Sequence, residues 1–410
     1  MRRMRHIGLI GLIGLIGLMG CADDDEERGE TVRVTLAAYM ASYADVEQTS
    51  RMTRAGNWWP DGFMPYSEVT GAGYVMKSDE RAAIGVFFTK GSDNSSSGLR
   101  RFRPNSLNEW LIDEEVTPSP LNEDYLLYGF VPYGAVDLTT TTIEPPYNGS
   151  YTNGATLKLK GLNSVMAQDL CVVVGAKDST KMGDAPAVPR TVVRQGDFAC
   201  ALKATGENAN NHIFLLFDHL YSAIHFRYRI GYNYAKLRTI KVKKLELTAC
   251  TDRDCQHPAK RWVSTDVTLK ANIDGSSPIE GAIVFTPDDT SDPMEPVTIY
   301  RNETNPPTLQ TGENWTDHIG FLSSIGNNYY LLRTTYDVYD NNVTAAHPDG
   351  NLIRKNCTAE NKIDPMRDFE SSQLERGHIY TLKLTVEPTY LYMLSEPDLD
   401  NPTLVVDKTN

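Results

Sequence analysis

The sequence predicts an all-β chain folded as β-sandwiches, and three observations carry that expectation. Its aromatic residues are led by 21 Tyr against 12 Phe and 5 Trp. Tyr in that proportion, with abundant Thr and Val, suits pleated, half-buried strands better than helices. Stretches that alternate apolar and polar residues recur, whereas long helical periodicity is scarce. Loops rich in Gly, Pro, Asn and Asp separate the stretches at short intervals, which is the spacing of sandwiches.

The elements follow in chain order. Residues 1–20 read as a targeting segment: Arg2, Arg3 and Arg5 form a basic start, and Ile7 to Met19 is apolar. That run is shorter than the roughly 20 residues a spanning helix needs. Gly8, Gly11, Gly14 and Gly17 also weaken it as a core helix. Leu18-Met19-Gly20-Cys21 then resembles the lipobox of bacterial lipoproteins, in which the Cys thiol is acylated; ordinary secretion is the alternative. Each buried methylene of an acyl chain contributes about 0.8 kcal/mol, so several chains would hold Cys21 on a membrane without a spanning segment. Residues 21–30 form an acidic tether. Its run Asp23–Glu27 resembles the surface-export signal of Bacteroidota lipoproteins, and reads equally as a solvated linker.

Strands are expected at Thr31–Leu36, Thr156–Lys160, Leu170–Val174, Ile213–Phe217, Ala223–Ile230, Leu237–Leu247, Gly281–Phe285, Tyr329–Thr334 and Ile379–Glu387. In Ala223–Ile230 the alternation puts Ile224, Phe226, Tyr228 and Ile230 on one face, with His225, Arg227 and Arg229 toward water. Pro388 is expected to end the last of these strands. The polar stretch Thr251–Lys260 and the patch Asp274–Pro278 are the boundary candidates. They divide the chain into an N-terminal domain, 31–250, and a C-terminal domain, 260–410.

Composition narrows the function. The 410 residues are 40% hydrophobic and carry a formal net charge of −13. A surface that acidic repels phosphate backbones, and no basic aromatic stripe offsets it, so nucleic acid is excluded as a partner. Beyond Cys21 there are five cysteines: Cys171, Cys200, Cys250, Cys255 and Cys357. Export permits disulfides, and Cys250 with Cys255 could clip a loop. The same pair with His257 is the sharper zinc alternative, but no second Cys or His pair lies near, and no metal or other cofactor is expected.

Catalytic signatures are missing: there is no Gly-x-Ser-x-Gly elbow, P-loop, His-Glu-x-x-His or dinucleotide fingerprint. His219, in Phe217-Asp218-His219-Leu220, could act as a base beside a carboxylate, but is read as a strand-end His bonded to backbone. Asp288, Asp289 and Asp292 lack the spacing of a Ca²⁺ loop. The chain is not expected to be an enzyme.

Four segments together resemble the fimbrillin family of Bacteroidales, the type V pilins and their accessory subunits. They are Glu80–Phe88, Tyr125–Tyr133, Asp218–Phe226 and Gly377–Leu384, and with the lipobox they span nearly the whole chain. The resemblance implies two transthyretin-like β-sandwiches, export as a lipoprotein to the cell outer membrane, and assembly with other fimbrial subunits. It also implies contact with host or bacterial surface ligands. In many members a protease cuts after an Arg and frees the first strand. Here that strand would be Thr31–Met40, and Arg51 and Arg54 would be the cut sites; an uncut exposed loop is the other reading. An incoming strand would come from a tail such as Thr389–Leu394 or Pro402–Val406. The tail could instead complete its own sandwich. A second function class is a surface lipoprotein that binds glycans for nutrient uptake, stacking sugars on Trp58 and Trp59.

Overall fold

The computed structural model describes residues 33–45, 62–66, 83–106, 109–112, 124–146, 149–182, 185–186, 193–202, 210–273, 277–280, 283–287, 292–323, 329–371, 374–390 and 397–407. The strands up to residue 219 are β1 (Arg33–Ala41), β2 (Ala44–Asp45), β3 (Phe63–Pro65), β4 (Ile84–Thr89), β5 (Ser96–Ser106), β6 (Glu109–Ile112), β7 (Asp124–Val131), β8 (Thr142–Glu144), β9 (Gly154–Leu159), β10 (Val165–Met166), β11 (Cys171–Met182), β12 (Ala185–Pro186), β13 (Ala199–Ala201) and β14 (Asn210–His219). Then come β15 (Tyr221–Ile230), α1 (Tyr232–Ala235), β16 (Arg238–Cys250), β17 (Trp262–Lys270), β18 (Val284–Pro287), β19 (Val297–Arg301), β20 (Thr316–Ser323), β21 (Tyr329–Asp340), β22 (Leu352–Ile363), α2 (Pro365–Asp368), β23 (His378–Tyr390) and β24 (Pro397–Val406). The all-β expectation holds. Among the described residues no helix is long and apolar enough to cross a membrane.

Two apolar cores organise these strands. In the first, β11, β14, β1, β6, β5, β4 and β7 pair in that order, and β7 pairs back to β11 through Cys171 with Val131 and Val172 with Phe130. The sheet therefore closes on itself, and its ring strands lose the free edges that invite unwanted pairing. A separate sheet, ordered β18-β17-β9-β8, places Leu157, Leu159, Val267 and Leu269 in the same core. Strand β14 reads as the continuous apolar run Ile213–Phe217 because it lies between β1 and β11 with both faces covered.

Strands β4 and β7 explain two of the segments that carry the family resemblance. They pair with Val86 opposite Gly129. A Cβ on Gly129 would lie 2.2 Å from the Gly85 carbonyl oxygen, so glycine lets these backbones approach.

The second core is a sandwich. One sheet runs β10-β20-β15-β23, with β2 and β24 on the far edge of β23; the other runs β19-β16-β21-β22. Ile224, Phe226, Tyr228 and Ile230 of β15 are buried as their alternation predicts, and face Leu245, Leu247, Leu332 and Tyr336 of the opposing sheet within one cluster.

Two expectations change. The expected division at 250/260 does not separate the cores. β2 and β10 touch the second sheet early, the chain passes into the second core at β15, and β17 and β18 return to the first, β17 because it pairs with β9 from Lys270–Gly154 to Thr265–Leu159. The two polar stretches bracket this return rather than a domain boundary. Nor does Pro388 end its strand. β23 runs to Tyr390, with Pro388 opposite Pro402 where the register breaks, a position that asks no ladder hydrogen bond of the proline nitrogen.

Candidate functional site

The site suggested by the sequence is the bed of the first strand. β1 runs parallel to β14 from Arg33–Asn210 to Met40–Phe217, and antiparallel to β6 at Thr35–Leu111 and Leu36–Trp110. Every residue from Val34 to Met40 is buried, because neighbouring strands flank β1 and core side chains cover both its faces. Burying a side chain such as Leu36 or Met40 stabilises the fold by about 1.5–3 kcal/mol. The Thr35 hydroxyl reaches across to His212 Nδ1 at 2.6 Å. Parallel partners cannot be joined by a tight hairpin, so β1 is held in its sheet by packing and ladder bonds rather than by a local turn.

Past its end the chain changes sheets. Ser42 N–H donates to Gly62 O at 2.8 Å, and Ala44 N–H to Gly377 O at 2.8 Å. β2 then pairs parallel with β23 at His378 and Ile379. Residues 33–45 thus stitch the first core to the second.

Under this crossing lies a buried polar cluster. His219, the last residue of β14, points Nε2 at Ala41 O at 2.7 Å and Nδ1 at Asp169 Oδ2 at 2.8 Å. Cys171, which opens β11, has Sγ 3.3 Å from the same Nδ1. The Tyr43 ring stacks on the imidazole with centroids 3.8 Å apart. Asp169, Cys171 and His219 are all fully buried. Burial pushes His219 down, but the Asp169 carboxylate, Asp218 and the Ala41 carbonyl together raise it above its ordinary value. Burial, then the Asp169 charge, drives the Cys171 thiol well up. Beside the cluster, Arg376 Nη1 bonds Asp218 Oδ2 at 2.6 Å and Arg376 Nη2 donates to Ser277 Oγ at 3.0 Å, tying the turn before β23 to β14.

The reading of His219 as a strand-end His bonded to backbone is what the structure shows. The carboxylate it meets is Asp169, not the adjacent Asp218. No spacing rule could find this cluster, because its members lie 48 and 50 residues apart and meet only through the pairing of β11 with β14.

The tail segment Pro397–Val406 is β24, paired antiparallel with β23 of its own chain. Leu404 is buried, the Tyr336 hydroxyl donates to Pro402 O at 2.8 Å, and Asn361 Nδ2 to Leu404 O at 3.0 Å. Arg229 pairs with Asp407. In this chain the segment completes its own sandwich. β2 and β24 share one edge of β23, at its start and its end.

Other expected sites fall differently. Cys21, Arg51, Arg54, Trp58, Trp59, Asp288, Asp289 and residues 391–396 lie outside the described residues. Cys250 and Cys255 stand as free thiols with their side chains against each other. The loop is closed instead by Asp252, whose Oδ1 accepts from Asp254 N and Gln256 N and whose Oδ2 accepts from His257 N at 2.8 Å. His257 Nδ1 faces Asp252 at 2.9 Å, not the two thiols, so the imagined zinc set does not assemble.

No protein-family model matches this chain, and no curated protein matches it in sequence. Its fold is similar to several solved structures at low identity. A candidate cell adhesion protein from Bacteroides fragilis is 11% identical over 93% of this chain and 98% of that one, with a TM-score of 0.42. The fimbrial anchor protein Mfa2 from Porphyromonas gingivalis is 12% identical over 91% and 95%, with a TM-score of 0.25. A candidate polysaccharide-binding protein from Bacteroides thetaiotaomicron is 9% identical over 87% and 92%, with a TM-score of 0.29.

Proposed function

We propose that this chain is a structural or adhesive subunit of a cell-surface fimbria, exported as a lipoprotein through Cys21 and assembled by strand addition. One observation supports the assembly step above all. β1 is a buried ring strand between β14 and β6 with the short β3 paired antiparallel at its end, and the stretch holding Arg51 and Arg54 falls between β2 and β3. A cut there leaves β1 and β2 attached by non-covalent contacts alone. Their loss exposes the parallel edge of β14, the β6 edge, an apolar groove and the start of the β23 edge, a bed shaped for an extended segment of another subunit. Partners are other fimbrial subunits, and the acylated Cys21 supplies the outer-membrane anchor.

Glycan binding finds no support among the described residues. The half-buried Trp315 could offer a stacking face, but Arg227 and Arg229 lie over its ring, 5.3 and 4.4 Å from the centroid. The test is immunogold electron microscopy of cells, with N-terminal sequencing of the protein stripped from them. Labelled filaments are expected, with chains starting at acylated Cys21, or at Met52 or Ala55 after cleavage. An even membrane coat without filaments would reject the proposal.

A further inference from the structure

The cluster beneath the β1–β2 crossing contains more ligand chemistry than a strand latch requires. Asp169, Cys171 and His219 offer a carboxylate, a thiol and an imidazole whose ligand atoms all lie within 4.8 Å of one another, each fully buried. Asp169 Oδ1 is buried and accepts no hydrogen bond. The Tyr43 hydroxyl is buried beside that carboxylate and interacts with it. A buried carboxylate oxygen without a regular hydrogen bond is rare in native interiors and leaves a place for a further partner.

We propose that Asp169, Cys171 and His219 bind a zinc ion, with the Tyr43 hydroxyl or a water in the fourth position. Three arguments select that ion. Carboxylate, thiolate and imidazole are the ligand types zinc takes, and its structural sites are four-coordinate. His219 has the orientation of a metal-bound histidine: Nδ1 faces the thiol and carboxylate, and Nε2 is fixed by a backbone carbonyl, the outer partner that sets the tautomer of such ligands. Charge also balances, since a divalent ion with one carboxylate and one thiolate is neutral and can be buried without a net charge. Binding releases two protons to solvent, the thiol proton of Cys171 and the Nδ1 proton of His219, and replaces the hydrogen bond between Nδ1 and Asp169. The unpartnered Oδ1 gives the carboxylate a free oxygen for the ion. The site joins the start of β11, the end of β14 and the residues just after β1, so zinc would clamp the crossing from the first core to the second.

The experiment is elemental analysis of the full chain purified without added metal, beside Cys171→Ser and His219→Gln. Stoichiometric zinc in the wild type is expected, falling at least tenfold in both variants. Cobalt exchange into the wild type requires no variant to fold, and should give a thiolate-to-cobalt charge-transfer band in the near ultraviolet. Wild-type protein with only trace transition metal, and no such band on cobalt reconstitution, would overturn the site and leave a plain Asp169–His219 ion pair. Metal content is read on the isolated chain, so this result is independent of the fimbrial proposal.

Discussion

The two cores secure the outer segments of the described chain in opposite ways. In the first, β1 is an interior strand, flanked by β14 and β6 and buried from Val34 to Met40. In the second, β24 lies on an edge, touching only β23 in the ladder, with Leu404 buried and Val405 facing solvent. Removing an interior strand leaves two unpaired backbones and an empty apolar slot. Removing an edge strand leaves one. The difference makes β1 the segment whose absence would open the larger slot, and β24 the segment that can leave at lower cost.

The largest expected effect follows from the interior position. A chain lacking residues 33–45 should lose the cooperative unfolding of the first core in calorimetry. In hydrogen exchange, amides of β15, β16 and β21 should stay protected while those of β14 and β6 exchange freely. Equal protection in both cores would erase the contrast.

Truncating residues 401–410 should cost less, about 3 kcal/mol, from the burial of Leu404 and the hydrogen bonds to Pro402 and Leu404. The loss should appear in the second core alone. A midpoint unchanged within experimental error would show β24 to be a free arm and not part of the sandwich.

Acid should also distinguish the cores. His318 of β20 is held at about 4, chiefly by burial, with His225 adding to the depression and Asp317 opposing it. The unfolded chain takes up this proton as pH falls through about 6.5, and the folded chain only near 4, so unfolding is favoured across that window. On the order of 2–3 kcal/mol of second-core stability should be lost between those values. His318→Gln should flatten this part of the pH profile, measured by urea midpoints from pH 7 to 4; a profile parallel to wild type would refute the assignment.

A smaller effect belongs to the first core. Gly129→Ala should destabilise it by about 1–3 kcal/mol, because the added methyl meets the Gly85 carbonyl. Val405→Ala, on the exposed side of β24, should stay within about 0.5 kcal/mol. Similar costs at both positions, read from denaturant midpoints, would mean that β4 and β7 are less closely packed than they stand here.

Much of the fold was legible in residues that alternate. β15 and β23 declare themselves because one face of each is buried and the other wet, and they prove to be parallel neighbours. β22 was missed because Leu352–Ile363 is an edge strand whose exposed face is mostly polar, so no apolar stripe marks it. The return of β17 to the first core was not legible either, since its pairing with β9 bridges more than a hundred residues and leaves no local trace. The same holds for the candidate site. The alternating run Thr31–Leu36 announced a strand, but not that β14 would lie parallel beside it. His219 stood out beside Asp218, whereas its true partners, Asp169 and Cys171, arrive from another strand.

The claim that β1 occupies a replaceable strand position is tested most directly by complementation. The chain lacking residues 33–45 would be refolded with and without a synthetic peptide of those residues, and the unfolding of the first core followed by calorimetry. The account predicts that the transition is absent without the peptide and restored by a stoichiometric amount of it. A first-core transition that persists without β1, or a peptide that neither binds nor restores it, would contradict the account.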